Sequence, residues 1–207
     1  MIVIVDFGMG NLRSILKKFE MIKVGAVISS KPEDILNAEK LVLPGVGNFG
    51  QGMKNIRQYG LLPVLERAIL IKKIPILGVC LGMQLFAQFS EEGDCAGLGF
   101  IKGKITHFNF ENLPQTQNLR IPHVGWNNIK IKKETDLLKN IPENTRFYFT
   151  HSYHYTNVAE ENIIATTDYG YDFPSIIRQE NIYGTQFHPE KSHLLGLEIY
   201  KNFINHC

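Results

Sequence analysis

Apolar residues fall in short runs through the first half of the chain and recur with two different periods. Ile2 to Asp6 is a run rich in β-branched residues and predicts a buried strand. Leu12, Ile15, Leu16, Phe19 and Ile22 follow at helical spacing, with Asn11 placed to cap that helix. Val24 to Ile28 and Lys40 to Leu43 predict two more strands, the second stopped by Pro44 and Gly45. Leu61 to Lys72 predicts an apolar helix with Pro63 in its first turn, where a missing N–H costs nothing. Pro75 to Val79 predicts a fourth strand, and Leu81 to Phe89 a further helix. Strand alternating with helix implies βαβ units and a parallel sheet covered by helices on both faces.

The second half changes period. Lys104 to Phe110, Asn127 to Lys132, Arg146 to Thr150, Ile163 to Thr167, Ser175 to Gln179 and Ile182 to Phe187 predict strands punctuated by turn residues. Hairpins and an antiparallel extension of the sheet are expected there. A last helix, Leu194 to Ile204, carries Leu194, Leu197, Ile199, Tyr200 and Phe203 toward a core. With no repeat, low-complexity tract or linker, the expectation is one α/β domain over residues 1–207 with a partly mixed sheet.

Composition narrows the possible functions. Hydrophobic residues are 44% of the 207, charged residues 20%, and the net charge is +2, with lysines dispersed. That balance argues against nucleic acid and against an acidic membrane surface as partners. No apolar run approaches the ~20 residues that span a bilayer, and the opening MIVIVDFGMGN lacks the basic region of a secretory signal. Three cysteines, Cys80, Cys95 and Cys207, make no disulfide framework and fit a reducing cytoplasm.

The segment Ile76-Leu77-Gly78-Val79-Cys80-Leu81-Gly82-Met83-Gln84 sets a cysteine where a predicted strand meets a predicted helix, with a glycine two residues to either side. This G-x-C-x-G is the cysteine form of a nucleophile elbow, a sharp strained turn that has no room for flanking side chains. A helix N-terminus beyond it favours the thiolate, the form that attacks an acyl carbon. The competing reading of an isolated cysteine is a small buried core residue, and Cys95 and Cys207 keep that reading.

A nucleophilic cysteine needs a base with an orienting acceptor. Gly184-Thr185-Gln186-Phe187-His188-Pro189-Glu190-Lys191-Ser192 follows an apolar strand, and in an extended chain His188 and Glu190 project to one side. Glu190 then holds one ring nitrogen and leaves the other for Cys80. His151 and His154, three apart, fall on opposite faces of a strand, and no C-x-x-C or H-E-x-x-H is present, so no metal site is expected. Pro44-Gly45-Val46-Gly47-Asn48-Phe49-Gly50 follows a strand and opens a helix; its three glycines allow backbone N–H groups to turn toward an anion. It lacks the G-K-[ST] of a P-loop.

Taken together, G-V-C-L-G-M-Q, P-G-V-G-N-F-G and G-T-Q-F-H-P-E-K-S resemble the class I (triad) glutamine amidotransferases. D-F-G-M-G-N-L-R-S, P-H-V-G-W-N and F-T-H-S-Y extend the resemblance to the glutaminase subunits of imidazole glycerol phosphate synthase, from residue 3 to about residue 192. The resemblance implies a three-layer, flavodoxin-like α/β fold with a mostly parallel central sheet and an antiparallel extension. It implies Cys80, His188 and Glu190 as a triad that hydrolyses glutamine through a thioester. Val46 and Leu81 would supply oxyanion N–H groups, and Gly47, Gln84, Glu92, Ser152 and Tyr153 would hold the glutamine. Asn11, Trp126, Tyr148 and Lys191 match positions near a partner, although core packing is an equal expectation for Trp126. That partner is a separate HisF-type (β/α)8 cyclase subunit, forming a heterodimer that uses the ammonia for histidine biosynthesis; no cofactor is implied. With 207 residues no synthase domain is left over, so the ammonia is expected to go to another chain. Two alternatives stay open: a paralogue feeding a surface-sugar-modifying or other synthase, and a stand-alone cysteine hydrolase.

Overall fold

The computed structural model describes residues 1–111, 113 and 119–207. The chain runs β1 (Ile2–Val5), α1 (Leu12–Met21), β2 (Ala26–Ser29), α2 (Pro32–Leu36), β3 (Lys40–Gly45), α3 (Phe49–Gln58), α4 (Leu61–Glu66, continued by a π-helical turn Arg67–Ile71), β4 (Ile76–Cys80) and α5 (Leu81–Gln84). It continues through β5 (Phe89–Ser90), β6 (Cys95–Ala96), β7 (Lys104–His107), β8 (His123–Asn128), β9 (Lys130–Ile131), β10 (Arg146–His151), β11 (Tyr153–Thr156), β12 (Ile163–Asp168), β13 (Asp172–Gln179), β14 (Ile182–Thr185) and α6 (His193–His206).

Among the described residues the main sheet has the order β2-β1-β3-β4-β14-β13-β12-β9. Its β2, β1, β3, β4 and β14 are parallel, and β13, β12 and β9 extend it antiparallel. Side chains of the parallel strands alternate between two cores. Val3, Val5, Leu41, Leu43 and Ile76 pack with Ile35, Met53 and Leu65 of α2, α3 and α4. Ile2, Ile4, Val42, Leu77 and Val79 pack with Ile15 and Phe19 of α1 and Ile199, Tyr200 and Phe203 of α6. Because a strand's side chains alternate faces, strands that are apolar at every position must be covered on both sides, which gives the expected three layers. Two smaller sheets, β10-β8 and β11-β7-β5-β6, stand beside them.

Three expected elements come out differently. β3 does not stop at Leu43: it runs through Pro44 and Gly45, paired with Val79 and Cys80 of β4. Its pairing with β1 has already ended at Val42, so the proline removes no ladder hydrogen bond on that side. The helix expected over Leu81 to Phe89 ends after one turn, at Gln84. The carbonyls of Leu85, Phe86, Ala87 and Gln88 accept instead from the amides of Leu98, Ile101, Gly99 and Gly97 at 2.8–3.1 Å. Tertiary partners satisfy the groups a longer helix would have used. The strand expected over Asn127 to Lys132 is two strands: β8 pairs with β10 and β9 with β12, in different sheets.

Candidate active site

β3, β4 and β14 are neighbours in the sheet, and their C-terminal ends converge on one cleft, the place where open parallel sheets bind ligands. Cys80 ends β4 with φ 53° and ψ −109°, a conformation an L-residue enters only under strain, of roughly 1–3 kcal/mol. The flanking glycines are required by space. A Cβ on Gly82 would lie 1.7 Å from the Leu43 carbonyl oxygen, and one on Gly78 2.5 Å from the Phe86 ring. The helix behind the cysteine has four residues, so little macrodipole is available to it and the nearby charges matter more.

The cleft, about 330 Å³, is lined by Val46, Gly47, Cys80, Leu81, Gln84, Glu92, Pro122, Thr150, His151, Ser152, Tyr153 and His188. All the residues expected to bind glutamine, both expected oxyanion residues, and the cysteine and histidine are among these. Glu190 stands behind His188: Nδ1 and Oε1 are 2.7 Å apart, and both side chains are buried. The segment does not stay extended, since Pro189–Lys191 forms a 3₁₀ turn; the turn brings the carboxylate under the ring. His188 Nε2 is buried without a hydrogen-bond partner among the described residues. Burial opposes a charge on this ring, but nearby Cys80, then the Glu190 carboxylate bonded to Nδ1, push its pKa up to about 10. The ring is therefore held protonated at neutral pH between Cys80 and Glu190.

Val46 is 40% exposed at the mouth, and Gly47 has φ 103°. Glu92 Oε2 accepts from the Phe49 amide at 2.8 Å, so the first turn of α3 fixes this carboxylate. Gln84 Nε2 donates to the Tyr153 carbonyl at 2.8 Å and to Gln186 Oε1 at 3.0 Å. Gln186 Nε2 in turn points at Cys80 Sγ, 3.7 Å away, and the thiol faces the Thr150 carbonyl at 3.8 Å.

Three of the four residues expected near a partner meet on one surface. Trp126 is 37% exposed, so it is not a core residue. Its ring stacks on His193 at 4.8 Å and meets Tyr148 edge-on at 6.1 Å, and Lys191 Nζ lies over the Tyr148 ring at 5.5 Å. Asn11 stands apart from that stack: it is exposed and caps α1 through the Ser14 amide at 3.4 Å.

Sequence reasoning passed over several residues that shape the site. Ser192 accepts from the Tyr148 amide at 3.0 Å and donates to the His188 carbonyl at 2.7 Å, stapling the His188 segment to β10. Tyr200 OH reaches the second oxygen of Glu190 at 3.5 Å from α6. The signal for Tyr200 was available, because a buried tyrosine needs a partner for its hydroxyl; for Gln186 and Ser192 only the motif marked them. His151 and His154 do not diverge as a strand spacing predicts. The strand breaks at Ser152, and both rings pack on Phe108, at 5.3 and 4.5 Å. Among the described residues, no group of three His, Cys, Asp or Glu could hold a metal ion, and no helix is long and apolar enough to cross a membrane.

The sequence matches the class-I glutamine amidotransferase family model over residues 3–207. It is 46% identical over 204 residues to the imidazole glycerol phosphate synthase subunit HisH 2 of Methanococcus maripaludis, covering 99% of this chain and 98% of that protein. It is 41% identical to the subunit of the same name from Pseudomonas aeruginosa, covering 99% and 98%. Among solved structures, the glutaminase domain of Trypanosoma brucei CTPS with bound acivicin superposes with a TM-score of 0.66 at 18% identity, covering 98% of this chain and 93% of that one. At that identity the likeness is one of fold.

Proposed function

The chain belongs to the class-I glutamine amidotransferases, and we propose that it is the glutaminase subunit of an imidazole glycerol phosphate synthase. In this role it is one domain over residues 1–207 that works in the cytoplasm. It hydrolyses glutamine to glutamate and hands the ammonia to a separate HisF-type (β/α)8 cyclase, its heterodimer partner in histidine biosynthesis. Full-length identity of 41–46% to subunits named for that synthase supports the pathway.

Cys80 as the thiolate attacks the side-chain amide carbon of glutamine, and the carbonyl oxygen takes the negative charge toward the N–H groups of Val46 and Leu81. Protonated His188 gives its Nε2 proton to the departing nitrogen, and ammonia leaves with a thioester on Cys80. His188 then takes a proton from water as it adds to the thioester, and returns it to sulfur or keeps it as thiolate reforms with release of glutamate. Glu190 keeps Nδ1 protonated and stabilises the imidazolium. Glu92 receives the substrate ammonium, with Gly47, Gln84, Ser152 and Tyr153 around the rest of the amino acid. Trp126, Tyr148, Lys191 and Asn11 face the cyclase.

The observation that carries this is the buried His188–Glu190 pair, 2.7 Å apart, behind a cleft that also contains Cys80 at a strained elbow. The test is glutamate release with and without a HisF-type cyclase and its nucleotide substrate. Strong stimulation is expected, and activity indifferent to the cyclase would refute the assignment. Cys80→Ala abolishes glutamate release while the complex still makes product from ammonium salts. Lys191→Glu lowers the stimulation ratio more than it raises the KM for glutamine.

A further inference from the structure

A line of hydrogen bonds leaves the glutamine cleft and ends on the strand that carries Trp126. The Tyr153 carbonyl, which accepts from Gln84, also accepts from His151 Nδ1 at 2.8 Å. His151 Nε2 lies 3.1 Å from His123 Nδ1. His123 Nε2 lies 3.3 Å from Nδ2 of Asn127, whose Nδ2 also donates to the Asp168 carbonyl at 2.8 Å and whose Oδ1 accepts from the Asn128 amide at 2.8 Å.

The two ends of this line dictate its polarity. A carbonyl can only accept, so His151 carries its proton on Nδ1. The Asn127 amide nitrogen can only donate, so His123 accepts at Nε2 and also carries its proton on Nδ1. The His123 Nδ1–H then points at the free lone pair of His151 Nε2, and every donor aims toward Tyr153. Only one arrangement satisfies all the contacts, with both rings neutral and both in the Nδ1–H form. A second proton on either ring would set hydrogen against hydrogen or against the Asn127 amide.

We infer that His123 and His151 are positioning residues that transmit the setting of β8, on the partner-facing side, to the Tyr153 carbonyl and Gln84 in the glutamine cleft. The inference rests on the glutaminase assignment above. Neither ring is free to turn. His123 is stacked between Tyr169 at 3.9 Å and Phe149 at 4.9 Å, and both histidines are buried. The titratable groups around them are His154 and Tyr171 across Phe108, Tyr169 on His123, Tyr153, and His188. Among the described residues no carboxylate hydrogen-bonds to either ring, and burial lowers the pKa of both, His123 to about 4 and His151 well below the ordinary value. The relay therefore stays uncharged at neutral pH.

The test uses the complex with a HisF-type cyclase and three variants, each read for glutamine KM, kcat and the stimulation ratio. His151→Phe keeps the ring but removes the donor to Tyr153; glutamine KM should rise about tenfold, with kcat within about threefold. His151→Asn can still donate from the Nδ1 position but cannot reach His123; KM should return to within about threefold while the stimulation ratio falls about fivefold. His123→Phe keeps the stack and cuts the line upstream, and should behave like His151→Asn. Nitrogen-15 histidine spectra of the wild type should show both rings neutral with hydrogen on Nδ1, a readout that needs no activity. An Nε2–H tautomer at either ring, or equal kinetics for His151→Phe and His151→Asn, overturns the relay. If His151→Phe does not fold, the other two variants and the spectra decide. A wild-type chain that releases no glutamate with the cyclase overturns the glutaminase assignment and the inference together. A stimulated wild type with unaffected variants overturns the inference alone.

Discussion

Gly82→Ala tests how tightly the elbow is built. The added Cβ would sit 1.7 Å from the Leu43 carbonyl oxygen, 2.7 Å from its carbon and 3.3 Å from the Pro44 carbonyl carbon. All three are backbone atoms of β3, so no flexible side chain can give way. Opening 1.7 Å to the 3.0 Å that real contacts rarely breach moves α5 and β3 apart by about 1.3 Å. β3 leads directly into Val46, and α5 begins at Leu81, so both proposed oxyanion donors move relative to Cys80. A misplacement of about 1 Å costs on the order of 100-fold in rate. Overpacking costs about 1–3 kcal/mol, against a helix-propensity gain for alanine of about 1 kcal/mol at most. The expected result is a kcat for glutamate release down by roughly 100-fold and an unfolding free energy from urea titration lower by about 1–2 kcal/mol. Gly25, whose Cβ position has nothing within 4 Å, is the control, and Gly25→Ala should change neither quantity. A Gly82→Ala protein with kcat within twofold of wild type would refute the close approach of β3 to the elbow.

Three further outcomes are expected. Cys80→Gly should be more stable than Cys80→Ala by about 1 kcal/mol, because glycine relieves the strain at φ 53° and loses part of that gain to chain entropy; denaturant titration of the two inactive proteins checks it, and an alanine variant at least as stable would mean the elbow stores no strain. Glu190→Gln replaces a charge-assisted hydrogen bond at 2.7 Å by a neutral one and should lower kcat about 10- to 100-fold, with the His188 pKa falling from about 10 in an NMR titration. Acid should destabilise the fold through His123, whose folded pKa near 4 lies below its ordinary 6.5. The unfolded chain then binds the proton first, so stability is complete above about pH 6.5 and is lost as pH falls toward 4, by on the order of 3 kcal/mol. Thermal melts of His123→Phe should show a flatter acid limb, and an unchanged slope would remove His123 as its cause.

How much of this was legible in the residues depends on the range of the forces involved. The parallel half could be read because its strands are apolar at nearly every position, a local pattern that buries both faces wherever it occurs. The elbow could be read because Gly78, Cys80 and Gly82 are close in sequence, and steric demand at a tight turn is local. The His188–Glu190 pair was anticipated for the same reason, although through an extended segment and not the turn at Pro189 that forms it.

The errors came where partners are distant. Leu81 to Phe89 has the composition of a helix, yet carbonyls 85–88 accept from residues 97–101, and a tertiary hydrogen bond is worth as much as a helical one. His151 and His154 diverge on an unbroken strand, but the strand breaks at Ser152 and both rings turn to Phe108. Which residues surround the proposed triad was also beyond local pattern. Gln186 beside Cys80, Tyr200 under Glu190, and the His123–His151 line join strands and helices far apart in the chain. The sequence by itself determined the layered α/β plan and marked Cys80, His188 and Glu190 as the proposed triad, because both rest on short-range spacing. Only the tertiary structure decided which polar groups answer one another, because a buried donor takes whichever acceptor packing brings within about 3 Å.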